Sequence, residues 1–239
     1  HLAGCLGQPR GPWVATLPAH DARTSAFQSS VLGREVATAG LGRVWDPRDR
    51  ELAEAMVSLR LHHDEDSIEQ IRWAAAVTAR AHHATVRLLA NRPTSPLSTA
   101  EVRAELEAEF IRAATSPAYS SIITPEGEVL HATPKATLLS DDALLLVDAG
   151  AESREGWASD VTRVFPRHGQ FSPTQRALYD VVLAAQQAAI GAVRIGTRFR
   201  DVHRRVSGLL GDGLGALGIL RWPGPPAFPA VAPQSVAVL

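Results

Sequence analysis

The chain has 239 residues, 45% of them hydrophobic and 21% charged, with a formal net charge of −1 at pH 7. This is ordinary globular composition for one sizeable domain, alone or with part of a second, and it excludes a long-range field that would draw nucleic acid or an anionic membrane. A single cysteine, Cys5, excludes an internal disulfide framework and a cysteine-rich zinc site, and no apolar run approaches the roughly 18 residues that span a bilayer. Cysteine usage and the lack of a basic-then-apolar signal peptide at the start suit the cytoplasm. The chain opens on His1 rather than Met, so the expectation is a processed product or a start inside a longer protein.

In chain order, residues 1–58 show no clear periodicity; GQPRGPW and DPRDR read as turns, and the segment is expected to be the remnant of an N-terminal domain with its linker. A long helix is predicted over Asp64–Pro93. Ser67 and Gln70 form a capping-box pattern, Ile68, Ile71, Ala75, Val86 and Leu89 recur near helical spacing, and Pro93 ends it. A second helix runs from Thr99, its expected cap, to about Ala114, with Val102, Leu106 and Phe110 on one face. Four short apolar or β-branched runs follow, Tyr119–Thr124, Glu128–Ala132, Ala143–Gly150 and Trp157–Phe165, and predict an antiparallel meander. Ser172-Pro173 opens another helix, buried along Leu178, Val181, Val182, Ala185 and Ala189. The last helix covers about Phe199–Leu214, with Val202, Val206, Leu209 and Leu210 inward. The proline-rich stretch 221–239 cannot easily continue a helix or a central strand and is expected to be irregular.

Two acidic residues carry the chemical interest. Asp148 closes the apolar run LLLVDAG, and Asp160 lies in WASDVTRVF. Period-two alternation places Ala158, Asp160, Thr162 and Val164 on one face of that strand. If the two runs pair as a hairpin, both carboxylates converge on one point. Unpaired carboxylates are costly to bury, and hard divalent cations, which prefer oxygen ligands, would offset that cost. The same spacing also admits a plain structural reading, in which Asp148 is a strand-end turn residue and Asp160 pairs with Arg163 or water.

The stretch VDAGAESREGWASDVTRVFP closely resembles the DAG…SDxTRTFP signature of proline-specific metallopeptidases with the pita-bread fold, the aminopeptidase P and prolidase families. MVSLRLHHDEDSIEQIRWAAAVTARAH looks like the linker and first catalytic-domain helix of those proteins, and AYSSIITPEGEVLHAT looks like their paired strands bearing an LH dipeptide. The resemblance covers about Met56–Leu220. It implies an α+β fold, the first half of a pita-bread catalytic domain at 59–220, with a curved antiparallel sheet and helices on one face. It implies Asp148 and Asp160 as the first two metal ligands and His131 as the active-site histidine lining the substrate pocket. The implied cofactor is a pair of divalent ions, Mn²⁺ being favoured, and the implied substrates are peptides with proline at the second position. Nothing points to a nucleic acid or a membrane as partner.

By the same resemblance the family completes its metal site with a His, in an HGxGHxxG-like segment, and two Glu from later strands. This sequence has no Glu after Glu155, no His after His203 and no HGxGH segment. The expectation is therefore a truncated, catalytically incomplete member that binds metal weakly, its tail suiting an out-of-frame terminus. It would leave an open sheet edge and apolar helix faces for a partner, a second copy of the chain included. The rival readings are a prolidase, another pita-bread hydrolase such as a methionine aminopeptidase, or a non-catalytic pita-bread interaction module.

Overall fold

The structure, a computed structural model, describes residues 14–39, 45–92, 96–129, 131 and 133–221; Cys5, Pro93 and the stretch 222–239 lie outside the described residues. The chain divides into two compact units, His1–Trp73 and Ala74–Leu239.

The first unit contains two helices where sequence periodicity pointed to none. Helix α1 (Ala22–Leu32) is capped by Asp21, which accepts from the backbone N–H groups of Arg23 and Thr24, and ends at Gly33 in the left-handed conformation. Helix α2 (Pro47–Arg60) starts with Asp46 as cap and Pro at its first position. Neither helix buries an apolar residue; the one buried residue of α2 is Asp49. Arg34 holds that carboxylate through two nitrogens at 2.6 and 2.8 Å, and the Thr16 N–H adds a third bond at 2.8 Å. The ends of these helices are set by caps and their packing by a fork-shaped ion pair, so they lack the apolar stripe that a periodicity search detects.

Helix α3 (Glu65–Asn91) begins one turn ahead of the expected cap. Asp64 accepts the Ser67 N–H at 2.8 Å, so Asp64, not Ser67, is the capping residue. The buried stripe of α3 is Ala74, Val77, Thr78, Ala81, His82, Ala84, Thr85 and Leu89, whereas Ala75 and Val86 face solvent. Small Ala and Thr residues carry the contact face, which bulkier residues alone do not mark. Helix α4 (Thr99–Arg112) is capped by Ser98 in a reciprocal box with Glu101, one residue before the expected Thr99. Its predicted face is correct: Val102, Leu106 and Phe110 are fully buried.

The sheet has three strands, β1 (Ile122–Thr124), β2 (Leu144–Ala149) and β3 (Val161–Pro166), in the order β1-β2-β3 with both pairings antiparallel. Burial alternates along β2, so Leu145, Val147 and Ala149 face the helices while Asp148 lies on the other side. With Ile123, those three residues meet Val77, Ala81, Leu89, Val102, Leu106 and Phe110 in one core. Among the described residues, the run Glu128–Ala132 forms no strand. The Val129 N–H bonds back to the Glu126 carbonyl in a turn, and His131 has φ of 55°, incompatible with extended backbone; Leu130 and Ala132 lie outside the described residues. Strand β3 starts at Val161, later than expected, because Trp157–Asp160 form no continuous ladder with β2, only the isolated bridge Glu152↔Ala158 and single backbone bonds across the turn.

Helices α5 (Pro173–Ala192) and α6 (Phe199–Ala216) complete the second unit. Ser172 and Pro173 form the predicted start of α5, and Gln175, which the sequence reading did not single out, completes a capping box with Ser172. The two helices pack closely at glycines: a Cβ on Gly213 would lie 2.5 Å from a Val181 methyl. Of the predicted α5 stripe only Ala185 is fully buried, and Val182 is exposed. Among the described residues, no helix is long and apolar enough to cross a membrane.

Candidate metal centre

The register of the hairpin decides where the acidic groups fall. Asp148 on β2 is directly opposite Thr162 on β3, which makes Asp160 its diagonal neighbour on the same face, within side-chain reach. Beyond Ala149 the two chains stay together. The Ser159 N–H bonds to the Ala151 carbonyl at 3.0 Å, and Gly150 passes so close that a Cβ there would sit 1.7 Å from the Ser159 carbonyl oxygen. Glycine is required at this position by contact, not by backbone angle. On the other flank, the Ala118 N–H donates to the Gly150 carbonyl at 2.8 Å, and Thr115 Oγ1 donates to the Glu152 carbonyl.

A buried hydroxyl pair ties this loop to α3. Thr78 Oγ1 lies 2.6 Å from Ser159 Oγ, and both oxygens accept the Ala151 N–H, at 2.9 and 3.1 Å. The clasp fixes the backbone just after Asp148 and just before Asp160. The tight turn between them closes through the Ser153 N–H to Trp157 carbonyl bond and Gly156 at φ 82°.

The two carboxylates meet at Tyr119. Its phenolic oxygen lies 2.7 Å from Asp148 Oδ1 and 2.8 Å from Asp160 Oδ1. One hydroxyl hydrogen serves two anionic acceptors. Burial, and then the bonds to both aspartates, push the Tyr119 hydroxyl well above the ordinary phenol range, so it remains a neutral donor. No Lys or Arg side chain pairs with either aspartate among the described residues, and the second oxygen of each carboxylate is left for another partner. Two like charges gathered on one face with a single shared hydrogen between them suit a hard cation with oxygen preference. Among the described residues, no group of three His, Cys, Asp or Glu side chains is placed to hold a metal ion; the donor set present is this pair.

His131 stands apart from that group. It is exposed, in the left-handed region, and lines a cavity of about 270 Å³ with Ile122, Thr124, Val129, Thr133 and Lys135. The cavity borders the site through β1, because Ile122 is the cross-strand partner of Asp148. The structure thus brings Asp148 and Asp160 together and puts His131 on a neighbouring wall. Sequence reasoning missed Tyr119, Thr78 and Ser159; only the strand register shows what they reach.

Comparison with known proteins adds three findings. The metallopeptidase family M24 matches residues 69–221. The Xaa-Pro aminopeptidase 2 of Streptomyces coelicolor is 31% identical over 232 residues, covering 90% of this chain and 48% of the relative, and the Xaa-Pro aminopeptidase of Escherichia coli is 34% identical over 166 residues, covering 68% and 36%. The structure of aminopeptidase PepP from Pseudomonas aeruginosa matches with a TM-score of 0.64 at 30% identity, over 84% of this chain and 42% of that one. The chain spans about half the length of the curated relatives it matches, or less.

Proposed function

The chain belongs to metallopeptidase family M24, and from that premise we propose that it is the metal-carrying part of an Xaa-Pro aminopeptidase, a hydrolase that removes the residue preceding a proline. The observation that carries this reading is the convergence of Asp148 and Asp160 on one hydroxyl, in a stretch whose relatives are named Xaa-Pro aminopeptidases. That naming favours an aminopeptidase over a prolidase. In this reading Asp148 and Asp160 hold divalent ions, Mn²⁺ for preference, in a cytoplasmic protein.

When bound, such ions supply an activated water and polarise the scissile carbonyl. The chain's own residues do the remaining work that falls to this part of the site. Asp148 and Asp160 fix the ions on the face of β2 and β3. Tyr119 donates to both. His131, on the adjoining cavity, contacts the substrate. A dedicated cleft suits proline peptides, since the tertiary amide has no N–H and the ring fixes the backbone. Among the described residues no third His, Cys, Asp or Glu joins the two carboxylates, so this pair is read as holding metal weakly, and no glutamate follows Glu155 to shuttle the proton. The 239-residue chain by itself is therefore proposed to be inactive.

The test is peptide hydrolysis in Mn²⁺, by the chain alone and with the C-terminal half of a relative's catalytic domain supplied in trans. The chain alone is expected to show no cleavage above background, and the complemented pair to cleave Xaa-Pro but not Met-Ala peptides. Efficient cleavage by the chain alone would overturn the inactivity. Cleavage of Met-Ala peptides would overturn the specificity.

A further inference from the structure

We propose that Tyr119 is a positioning residue: its single phenolic O–H, shared between Asp148 Oδ1 and Asp160 Oδ1, holds the two carboxylates facing one point before a cation arrives. The inference rests on the metal-centre reading above and extends it to a residue outside the ligand set. Without such a donor, two like charges on neighbouring strands repel and turn toward water. Each bond to the phenol, 2.7 and 2.8 Å long, takes up one oxygen of its carboxylate and leaves the other open.

The donor itself is held rigidly. Ala118 is tied to Gly150 by a 2.8 Å backbone bond, and Pro117 bridges Ala151. The ring lies against Gly150, where Tyr119 Cε1 would be 3.2 Å from any added Cβ. The phenol is therefore delivered by backbone pairing to the same stretch that carries Asp148, and its position does not depend on a free loop. A neutral phenol competes poorly with a divalent ion for the open oxygens, so it organises the site without occupying it.

The experiment uses the whole 239-residue chain. Mn²⁺ is titrated into the millimolar range and the free ion read by electron paramagnetic resonance, for the wild type and for Tyr119→Phe, with metal-free melting as a check on folding. Loss of the hydroxyl is expected to raise the Mn²⁺ dissociation constant roughly 10-fold or more, with the metal-free melting temperature little changed. An unchanged or tighter dissociation constant in Tyr119→Phe overturns the role of Tyr119 and leaves the metal centre standing. A wild-type chain that takes up no Mn²⁺ overturns both. Should Tyr119→Phe fail to fold, the wild type answers by itself, because Tyr119 and Tyr179 are its two tyrosines. With ¹³Cζ-labelled tyrosine, adding Zn²⁺ is expected to shift the Tyr119 resonance and not that of Tyr179, assigned with Tyr179→Phe. No shift at Tyr119 overturns the inference.

Discussion

His82 and His83 are neighbours in the chain and opposites in the structure. His83 is exposed, whereas His82 is buried against β3 with Nε2 3.1 Å from the Val161 carbonyl oxygen. A carbonyl only accepts, so Nε2 carries the hydrogen and Nδ1, which finds no partner, is bare. Burial lowers the proton affinity of His82. The Val161 carbonyl pulls it back up, Arg163 and His83 lower it, and Asp148 raises it. In the unfolded chain the imidazole takes its proton near its ordinary pKa; in the folded chain it does so only at lower pH. The unfolded state then binds more protons in between, so this contribution to stability is present above about pH 6.5 and is lost as pH falls. Urea midpoints measured from about pH 7.5 down to about pH 5.5 should drop more steeply for the wild type than for His82→Gln; equal slopes would disprove the assignment. At this scale the convergence of the two aspartates was legible because one chain segment contains both. Tyr119 was not, since its two partners are 29 and 41 residues away, and nothing in the sequence separates His82 from His83 until β3 is laid over the helix.

Among the elements, α3 adds to the backbone bonds of the segment from Asp148 to Asp160 a side-chain clasp of its own. The Thr78 hydroxyl reaches across 81 residues to Ser159 and also accepts the Ala151 N–H. Replacing Thr78 by Val keeps the volume and strips the clasp of one oxygen, leaving a buried hydroxyl with fewer partners. The cost should be about 1–3 kcal/mol by urea denaturation, with Thr78→Ser close to wild type. Gly150→Ala is expected to lie at the top of the roughly 1–3 kcal/mol overpacking range or above it, because the new methyl meets backbone, which cannot swing away as a side chain can. A tolerated Gly150→Ala would show that the strand ends are more adaptable than their hydrogen bonds imply. The buried face of α4, Val102, Leu106 and Phe110, and the start of α5 at Ser172 and Pro173 were read correctly from sequence, whereas the capped helices α1 and α2 were not. The stripe of α3 was misread because Ala74, Ala81, Thr78 and Thr85, which bury fully or nearly so, carry weak hydrophobic signals. The strand expected at Glu128–Ala132 failed because the turn that closes from Val129 onto Glu126 overrides the local β-propensity.

Across the whole molecule, apolar surface is covered unevenly. The sheet and helices α3 and α4 share one core, whereas α5 and α6 pack mainly on each other. Val182 and Ile190 on α5, Val193 and Ile195 in the connection, and Phe199 at the start of α6 are exposed, Phe199 to 87%. Scattered apolar residues are normal on a surface, but several large ones gathered around one helix connection lead to the expectation that this face associates. The sequence foresaw uncovered helix faces from the family resemblance alone; it misplaced Val182 in the interior, because a stripe at helical spacing shows that a helix has an apolar side, not that anything covers it. The purified chain should therefore sediment with a mass that rises with concentration. Replacing Ile190 and Phe199 together by Ser should return it toward the monomer. Both side chains are mostly in solvent already, so the unfolding free energy should change by only about 0.5 kcal/mol per site. That separation distinguishes an associating surface from a loosened core, which would lose cooperativity in the same variant. A wild-type chain that remains monomeric across the concentration series, with cooperative unfolding, would show that the helix pair is self-sufficient.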